Sequence, residues 1–118
     1  MRFQDFYKGK KVLVTGADGF MGSHLTERLV SYGANVSILI RNNELKYLEH
    51  IKSKLKEILV EDIENPNTIN IIINNNPEII FHLAVDGYVP NSIQNPLKVN
   101  KTNLDGTLNV LEAARALK

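Results

Sequence analysis

The sequence predicts an α/β fold in which helices cover both faces of a parallel β-sheet. Short runs rich in β-branched residues alternate with longer segments of helical periodicity, separated by residues that favour turns. Four such strand–helix units fill the 118 residues, of which 43% are hydrophobic, so we expect one domain spanning residues 1–118. Right-handed crossovers between parallel strands predict a doubly wound sheet with strand order 3-2-1-4.

The first unit is the most clearly marked. Residues 11–15 (KVLVT) form a short apolar run that ends at a glycine, which is typical of a strand buried on both faces. Leu25, Leu29 and Tyr32 then recur at helical spacing. Gly33 follows them where a helix often ends in a left-handed residue, so the helix should stop there.

The second and third units follow the same rhythm. Residues 35–41 (NVSILIR) predict the second strand, and residues 45–55 predict an amphipathic helix with Leu45, Leu48, Ile51 and Leu55 on one face. Residues 58–60 predict the third strand. Residues 69–73 suit either a strand or a helix, and the β-α alternation favours a helix that begins near Asn65-Pro66 and ends before Pro77.

The fourth unit closes the chain. Residues 78–85 (EIIFHLAV) predict the fourth strand, and Asn95-Pro96 opens a long final helix. We expect this helix to turn four leucines towards the sheet: Leu104, Leu108, Leu111 and Leu117.

Composition excludes several functions. The net charge is +1 and the basic residues are spread along the chain, so no nucleic-acid interface is expected. Cysteine is absent, and His24, His50 and His82 lack the spacing of metal ligands. No run is long and apolar enough for a membrane span or a secretory signal, so we expect a cytoplasmic protein.

The segment TGADGFMG, residues 15–22, lies between the first strand and the first helix, and we call it the glycine turn. Gly16 permits a tight turn, Gly19 allows the backbone to approach a pyrophosphate, and Gly22 allows the helix to pack closely on the sheet. The amides of residues 18–21 would point at an anion, with the helix dipole behind them. A dinucleotide site of Rossmann type is therefore predicted.

The motifs of the chain resemble those of the extended short-chain dehydrogenase/reductase family, which includes nucleotide-sugar epimerases and dehydratases. TGADGFMGSHL is similar to the family's TGxxGFxGxxL, and Glu61-Asp62-Ile63, His82-Leu83-Ala84 and the NLDGT of residues 103–107 match later motifs in order and spacing. The start of the chain and residues 82–96 look most like 4,6-dehydratases and 4-epimerases. Glu61 and Val85 stand where the family has glycine and alanine.

The resemblance implies a cofactor site spread over four segments. The glycine turn would hold pyrophosphate, and Asp62 and Ile63 would hold the adenine. Residues 83–85 would form the wall beside the nicotinamide, and Asn103 would contact that side. The candidate cofactor residues are Gly16, Asp18, Gly19, Phe20, Met21, Gly22, Arg41, Asp62, Ile63, Leu83, Ala84, Val85 and Asn103.

The identity of the cofactor, NAD or NADP, depends on Arg41. Where an acidic residue at the end of the second strand would accept hydrogen bonds from the ribose of NAD, this chain has a guanidinium, which can pair with the 2′-phosphate of NADP. The family resemblance favours NAD instead, and both cofactors stay open.

No catalytic residue is assigned. The family's Ser/Thr and Tyr-x-x-x-Lys would follow the last helix, and the one formal match, Tyr7 with Lys11, precedes the first strand. His82 is interpreted as a backbone-bonded strand residue, and Asp86 as a turn cap. The chain is interpreted as the cofactor-binding portion of a nucleotide-sugar enzyme, with a non-catalytic cofactor-binding or redox-sensing module and an inert fragment as alternatives. Its uncovered sheet edge implies either that it self-associates or that it was cut from a longer chain.

Overall fold

The computed structural model describes residues 2–118 and contains a four-stranded parallel sheet in the order β3-β2-β1-β4, as predicted. The strands are β1 (Lys11–Thr15), β2 (Asn35–Ile40), β3 (Glu57–Val60) and β4 (Ile79–His82). The helices are α1 (Phe3–Tyr7), α2 (Phe20–Ser31), α3 (Asn67–Asn75), α4 (Val89–Gln94), α5 (Pro96–Asn100) and α6 (Gly106–Ala116). A 3₁₀ helix (Glu49–Lys54) precedes β3, and a π-helical turn (Lys101–Asp105) joins α5 to α6.

Helices cover both faces of the sheet. On one face, α2 and the 3₁₀ helix bury a cluster that includes Val14, Leu29 and Ile38. On the other face, α3 and α6 bury a second cluster that includes Leu13, Leu39 and Ile72. Because strand side chains alternate between the two faces, the central strands β1 and β2 must be apolar at consecutive positions.

The ends of α2 and α3 follow local rules. Gly33, just beyond α2, has φ 84°, which is the left-handed conformation that its position predicted. α3 ends at Asn75, and Asn76 has φ 55° with its N–H bonded to the carbonyl oxygen of Ile72. The ambiguous residues 69–73 are therefore helical, as the β-α alternation favoured.

The predicted second helix is not an α-helix. Leu45, Leu48 and Ile51 are buried as expected, but residues 43–48 are irregular and only Glu49–Lys54 is helical, with 3₁₀ geometry. Of these three apolar residues only Ile51 lies within the 3₁₀ helix, and the irregular segment before it buries Leu45 and Leu48 against the same core.

The ends of two strands also differ from prediction. β2 ends at Ile40, which leaves Arg41 just outside the sheet, and β4 ends at His82 and not at Val85. The reason for the shorter β4 is its partner: β1 ends at Thr15, which pairs with His82, so no strand remains to bond residues 83–85 in a ladder.

The inward face predicted for the last helix was wrong for three of its four leucines. Leu104, Leu108 and Leu111 are more than half exposed, at 61%, 53% and 59%, and of the predicted set only Leu117 packs against the core. The face against the sheet carries the smaller residues Gly106, Val110 and Ala113.

Close packing explains this choice of face. A Cβ on Gly106 would lie 2.8 Å from Cγ2 of Ile63, so the start of α6 approaches the loop after β3 too closely for a leucine. Val110 and Ala113 continue the same close contact along the helix.

This orientation is testable on α6 itself. Val110→Ala should lower the free energy of unfolding by about 1–3 kcal/mol, because it removes two buried methyl groups and leaves a cavity. Leu108→Ala, two residues away and exposed, should change it by less than about 0.5 kcal/mol. Urea denaturation of both variants measures the two effects, and a larger loss for Leu108→Ala would contradict the orientation.

Candidate functional site

A cleft of about 1290 Å³ lies at the carboxyl ends of the strands. It exceeds the roughly 300–1,000 Å³ of most small-molecule pockets, as an extended ligand would require. All the residues selected from the sequence line this one cleft. It lies beside β1, whose neighbours β2 and β4 depart to opposite sides, and this reversal of strand order is where doubly wound folds bind ligands.

The glycine turn is shaped by two contacts that exclude side chains. Gly16 has φ 69°, and a Cβ there would lie 2.7 Å from the backbone nitrogen of Ala84. A Cβ on Gly22 would lie 2.1 Å from the carbonyl oxygen of Gly16. No L-residue with a side chain fits either position without moving the backbone. The turn is therefore held tightly between α2 and the loop after β4.

The start of α2 supplies free backbone donors to the cleft. Gly19 precedes the helix, and the N–H groups of Phe20, Met21 and Gly22 in the first turn have no acceptor within the helix. Gly19 itself donates to the carbonyl oxygen of Gly16 at 3.1 Å. The expectation that all amides of residues 18–21 face an anion is thus wrong for Gly19, whose N–H closes the turn.

Two apolar side chains stand at the rim of the glycine turn. Phe20 is 69% exposed and Met21 is 73% exposed, although both are large. The ring of Phe20 meets the ring of His24 edge to face, with centroids 4.7 Å apart. This surface is available to an apolar part of a ligand.

Arg41 follows directly after β2 and lines the cleft with an exposed side chain. Within residues 2–118 its guanidinium has no ion-pair partner. A cation without a protein carboxylate beside it is available to an anionic ligand.

The loop after β3 is fixed by neighbouring helices. The carbonyl oxygen of Asp62 accepts hydrogen bonds from the N–H of Asn65 and from the hydroxyl of Thr68, the latter at 2.8 Å. The side-chain amide of Asn109 on α6 donates to the carbonyl oxygen of Ile63 at 2.9 Å. The carboxylate of Asp62 is consequently held at the cleft on a rigid backbone.

The loop of residues 83–86, which we call the β4 loop, is bonded at both ends. The N–H groups of Leu83 and Ala84 donate to Oγ1 of Thr15 at 3.0 and 3.1 Å. At the other end, Oδ1 of Asn103 accepts the N–H of Asp86 at 2.8 Å, while Nδ2 of Asn103 donates to the carbonyl oxygen of Asp86 at 3.2 Å. Asn103 therefore bonds the loop to the turn that precedes α6.

His82 contributes its side chain and not only its backbone, contrary to the sequence-based interpretation. Its Nδ1 lies 2.8 Å from Oγ1 of Thr15, and its Nε2 lies 3.2 Å from Oγ1 of Thr107. Burial lowers the pKa of His82 below its ordinary value, because desolvation penalises the charged ring. The ring is therefore neutral at neutral pH.

Several cleft residues were not selected from the sequence. They are Leu39, Ile40, Glu61, His82, Asp86, Gly87, Tyr88, Asn91, Thr102 and Thr107. Asp86 and His82 were considered and set aside, and in the structure the carboxylate of Asp86 accepts hydrogen bonds at the start of α4, from the N–H of Tyr88 and the side-chain amide of Asn91. The available signal was position, because each of Ile40, Glu61 and His82 directly ends or follows a strand at the ligand edge.

Among residues 2–118, no group of three or more histidine, cysteine or acidic side chains has the arrangement of a metal site. In the same part of the chain, no helix has the length and apolar character needed to cross a membrane. Tyr7 and Lys11 do not line the cleft, and Tyr7 stacks on Tyr32 beyond the far end of α2.

Known proteins are similar to this chain in both sequence and fold. A family model described as GDP-mannose 4,6 dehydratase matches residues 13–118. The chain is 36% identical over 109 residues to UDP-glucuronic acid decarboxylase 1 of Danio rerio, which covers 90% of this chain and 25% of the relative. An epimerase from Methanothermobacter thermautotrophicus superposes with a TM-score of 0.81 and 34% identity, over 97% of this chain and 34% of its own.

A third match is the UDP-glucose 4-epimerase of Thermus thermophilus in complex with NAD, with a TM-score of 0.80 and 31% identity. It covers 90% of this chain and 34% of the epimerase. The chain thus spans a quarter to a third of the length of these relatives. Because the family model matches from residue 13 to residue 118, this chain belongs to the GDP-mannose 4,6 dehydratase family of epimerases and dehydratases.

Proposed function

We propose that this chain binds a nicotinamide dinucleotide in the cleft at the carboxyl ends of its strands. The observation that carries the proposal is the glycine turn, where Gly16 and Gly22 leave no room for a Cβ and the first residues of α2, whose N–H groups have no acceptor within the helix, line the cleft. This arrangement suits a pyrophosphate, which needs close backbone approach and an electropositive helix end.

The remaining cleft residues suit the rest of a dinucleotide. Arg41 would hold the adenosine ribose, Asp62 and Ile63 the adenine, and residues 83–85 the wall beside the nicotinamide, with Asn103 fixing that wall. The epimerase from Thermus thermophilus, which shares the fold, was solved with NAD. The proposed site is therefore continuous from the loop after β3 to the β4 loop.

Arg41 leads us to propose a preference for NADP over NAD. Its guanidinium is exposed, and within the described residues it is paired with no carboxylate. A 2′-phosphate could accept two hydrogen bonds from this planar group, whereas the 2′-hydroxyl of NAD offers no charge.

In a complete enzyme of this family we propose a nucleotide sugar as the substrate, as the names of the relatives suggest. A bound nicotinamide would supply a reversible hydride acceptor for C4 of the sugar. The residues of this chain would bind and orient that cofactor. We assign them no proton-transfer role, since no tyrosine at the cleft has a lysine four residues on.

We further propose that the chain acts in the cytoplasm, as one domain, and that it self-associates. The exposed leucines of α6 and the edge strand β4 both leave apolar or unpaired surface accessible. A non-catalytic cofactor module would share the binding properties proposed above, whereas an inert fragment would bind neither cofactor.

Calorimetric titration with NAD and NADP tests the binding directly. Gly19→Ala should weaken binding at least about tenfold, since the added methyl group enters the space reserved for the pyrophosphate while its nearest protein neighbour, the carbonyl oxygen of Gly16, is 3.4 Å away. The turn itself should persist, because Gly19 has φ −80°, which alanine adopts.

Ser31→Ala, at the opposite end of α2, is the matched control and should keep the affinity of the unmodified chain. Absence of binding by the unmodified chain, folded by circular dichroism, would exclude the proposed function and favour the inert fragment. Equal affinities for Gly19→Ala and the unmodified chain would exclude the glycine turn as the pyrophosphate site.

The cofactor preference has its own test in Arg41→Gln. Loss of a charge-assisted pair should weaken NADP binding roughly 10- to 100-fold and change NAD binding by less than about threefold. Arg28→Gln, which removes an exposed arginine from α2, should change neither affinity. A parallel loss for both cofactors in Arg41→Gln would show that Arg41 does not recognise the 2′-phosphate.

Self-association can be followed by light scattering. Leu108→Glu introduces a charge on the exposed face of α6 and should lower the apparent mass of any oligomer formed through that face. Ser31→Glu, an exposed change on α2, should not. A monomeric unmodified chain at about 100 µM would refute the proposal, because concentrations in this range populate complexes of micromolar affinity.

A further inference from the structure

The side chain of His82 joins two elements that border the cleft. On one side its Nδ1 meets Oγ1 of Thr15, which is fully buried at the end of β1. On the other side its Nε2 meets Oγ1 of Thr107 on α6. None of the roles proposed for the cofactor residues uses this ring.

The hydrogen-bond donors and acceptors around Thr15 indicate whether Nδ1 of His82 carries a hydrogen. Its hydroxyl oxygen has two lone pairs, and these accept the N–H groups of Ala84 and Leu83, the latter shared with the carbonyl oxygen of Thr15 at 3.2 Å. Its single proton is then directed to Nδ1 of His82 at 2.8 Å. Nδ1 must accept, so it carries no hydrogen.

Counting protons at Thr107 gives the same tautomer independently. The Thr107 hydroxyl donates its proton to the carbonyl oxygen of Asn103 at 2.7 Å. It can therefore only accept from His82, and Nε2 must carry the hydrogen. Both ends require a neutral ring protonated at Nε2.

The network closes on the β4 loop. It begins at the N–H groups of Leu83 and Ala84, passes through Thr15, His82 and Thr107 to the backbone of Asn103, and returns through the Asn103 side chain to Asp86. The backbone of Ala84 in this loop is the surface that a Cβ on Gly16 would strike. The network therefore fixes the β4 loop against the glycine turn.

We propose that His82 is a positioning residue whose neutral Nε2–H tautomer holds the β4 loop against the glycine turn, so that protonation of the ring loosens the loop and weakens dinucleotide binding. A second proton on Nδ1 would bring a third donor to the Thr15 hydroxyl oxygen, which has two lone pairs, and would remove the acceptor of the buried Thr15 proton, so the bonds of that oxygen to the β4 loop must weaken. The part of this inference that concerns binding rests on the proposed function.

The protonation state of His82 depends on its burial and on its hydrogen bonds with the two threonines, and not on a neighbouring charge. Burial is the one cause that lowers its pKa, and no charged group adds to the shift. The charged residues that line the same cleft are Asp18 on the glycine turn, Arg41 after β2, Glu61 and Asp62 after β3 and Asp86 on the β4 loop. The π-helical turn before α6 adds Lys101 and Asp105, which pair with each other.

The tautomer is measured by nuclear magnetic resonance on the full chain labelled with ¹⁵N-histidine. At pH 8 the ring nitrogens of His82 should show hydrogen on Nε2 and none on Nδ1. A ring with hydrogen on Nδ1 would overturn the proposal, because it is incompatible with both proton counts.

The positioning role is measured by amide hydrogen exchange between pH 8 and pH 5. Over the pH range in which the ring signals of His82 titrate by nuclear magnetic resonance, protection of the Ala84 amide should fall at least about tenfold, while Leu13 in the middle of β1 stays protected. In His82→Asn, whose Oδ1 can still accept from Thr15 but does not titrate, protection should not change with pH. Unchanged protection in the unmodified chain, or the same fall in His82→Asn, would overturn the proposal.

Cofactor titration tests whether the protonation of His82 changes the affinity for the dinucleotide. The dissociation constant for NAD or NADP should rise about fivefold from pH 8 to pH 5.5 in the unmodified chain and less than about twofold in His82→Asn. A structural histidine would give equal pH profiles in both proteins, and that outcome refutes the coupling to binding. If the unmodified chain binds neither cofactor at pH 8, the proposed function fails, and the exchange data still decide whether His82 positions the β4 loop.

Discussion

The close approach of three backbone segments at Gly16 is the constraint on which the cleft depends. The turn after β1, the first turn of α2 and the β4 loop meet there with no space for a Cβ on Gly16 or Gly22. Thr15, the residue before, pairs with both Leu39 and His82 in the sheet, so the position of the turn is set by the central strand. A cleft built this way is bordered by backbone, and its shape depends little on flexible side chains.

Much of this arrangement was predictable because it is local in sequence. The glycine spacing, the apolar run of β1 and the left-handed Gly33 each express a conformational rule of one short segment. The candidate cofactor residues came partly from the family resemblance, and the fold then brings them to one cleft because parallel strands end at one edge. The interpretation of Arg41 as a residue that binds the cofactor required only the position of the end of β2 in the sequence.

The errors arose where tertiary packing outweighs local pattern. Hydrophobicity favoured Leu104, Leu108 and Leu111 as the buried face of the last predicted helix, but the distance from the start of α6 to the loop after β3 leaves no room for a side chain at Gly106. The side-chain role of His82 was equally hidden. Its partners Thr15 and Thr107 are 67 and 25 residues away in sequence, so no local pattern could connect them.

The charges at the cleft indicate that backbone groups would have to dominate the proposed binding of a pyrophosphate. Among the described residues that line it, Asp18, Glu61, Asp62 and Asp86 are acidic, and Arg41 is the one guanidinium. Side chains alone would repel a pyrophosphate, since the acidic groups outnumber the cation. Amide dipoles at the start of α2 can offset this without a mobile charge, but only if the phosphate oxygens come within hydrogen-bond distance of the backbone. The exclusion of side chains at the glycine turn and the fixed position of the β4 loop would thus both serve the proposed dinucleotide binding, which requires the close approach of an anion to peptide N–H groups.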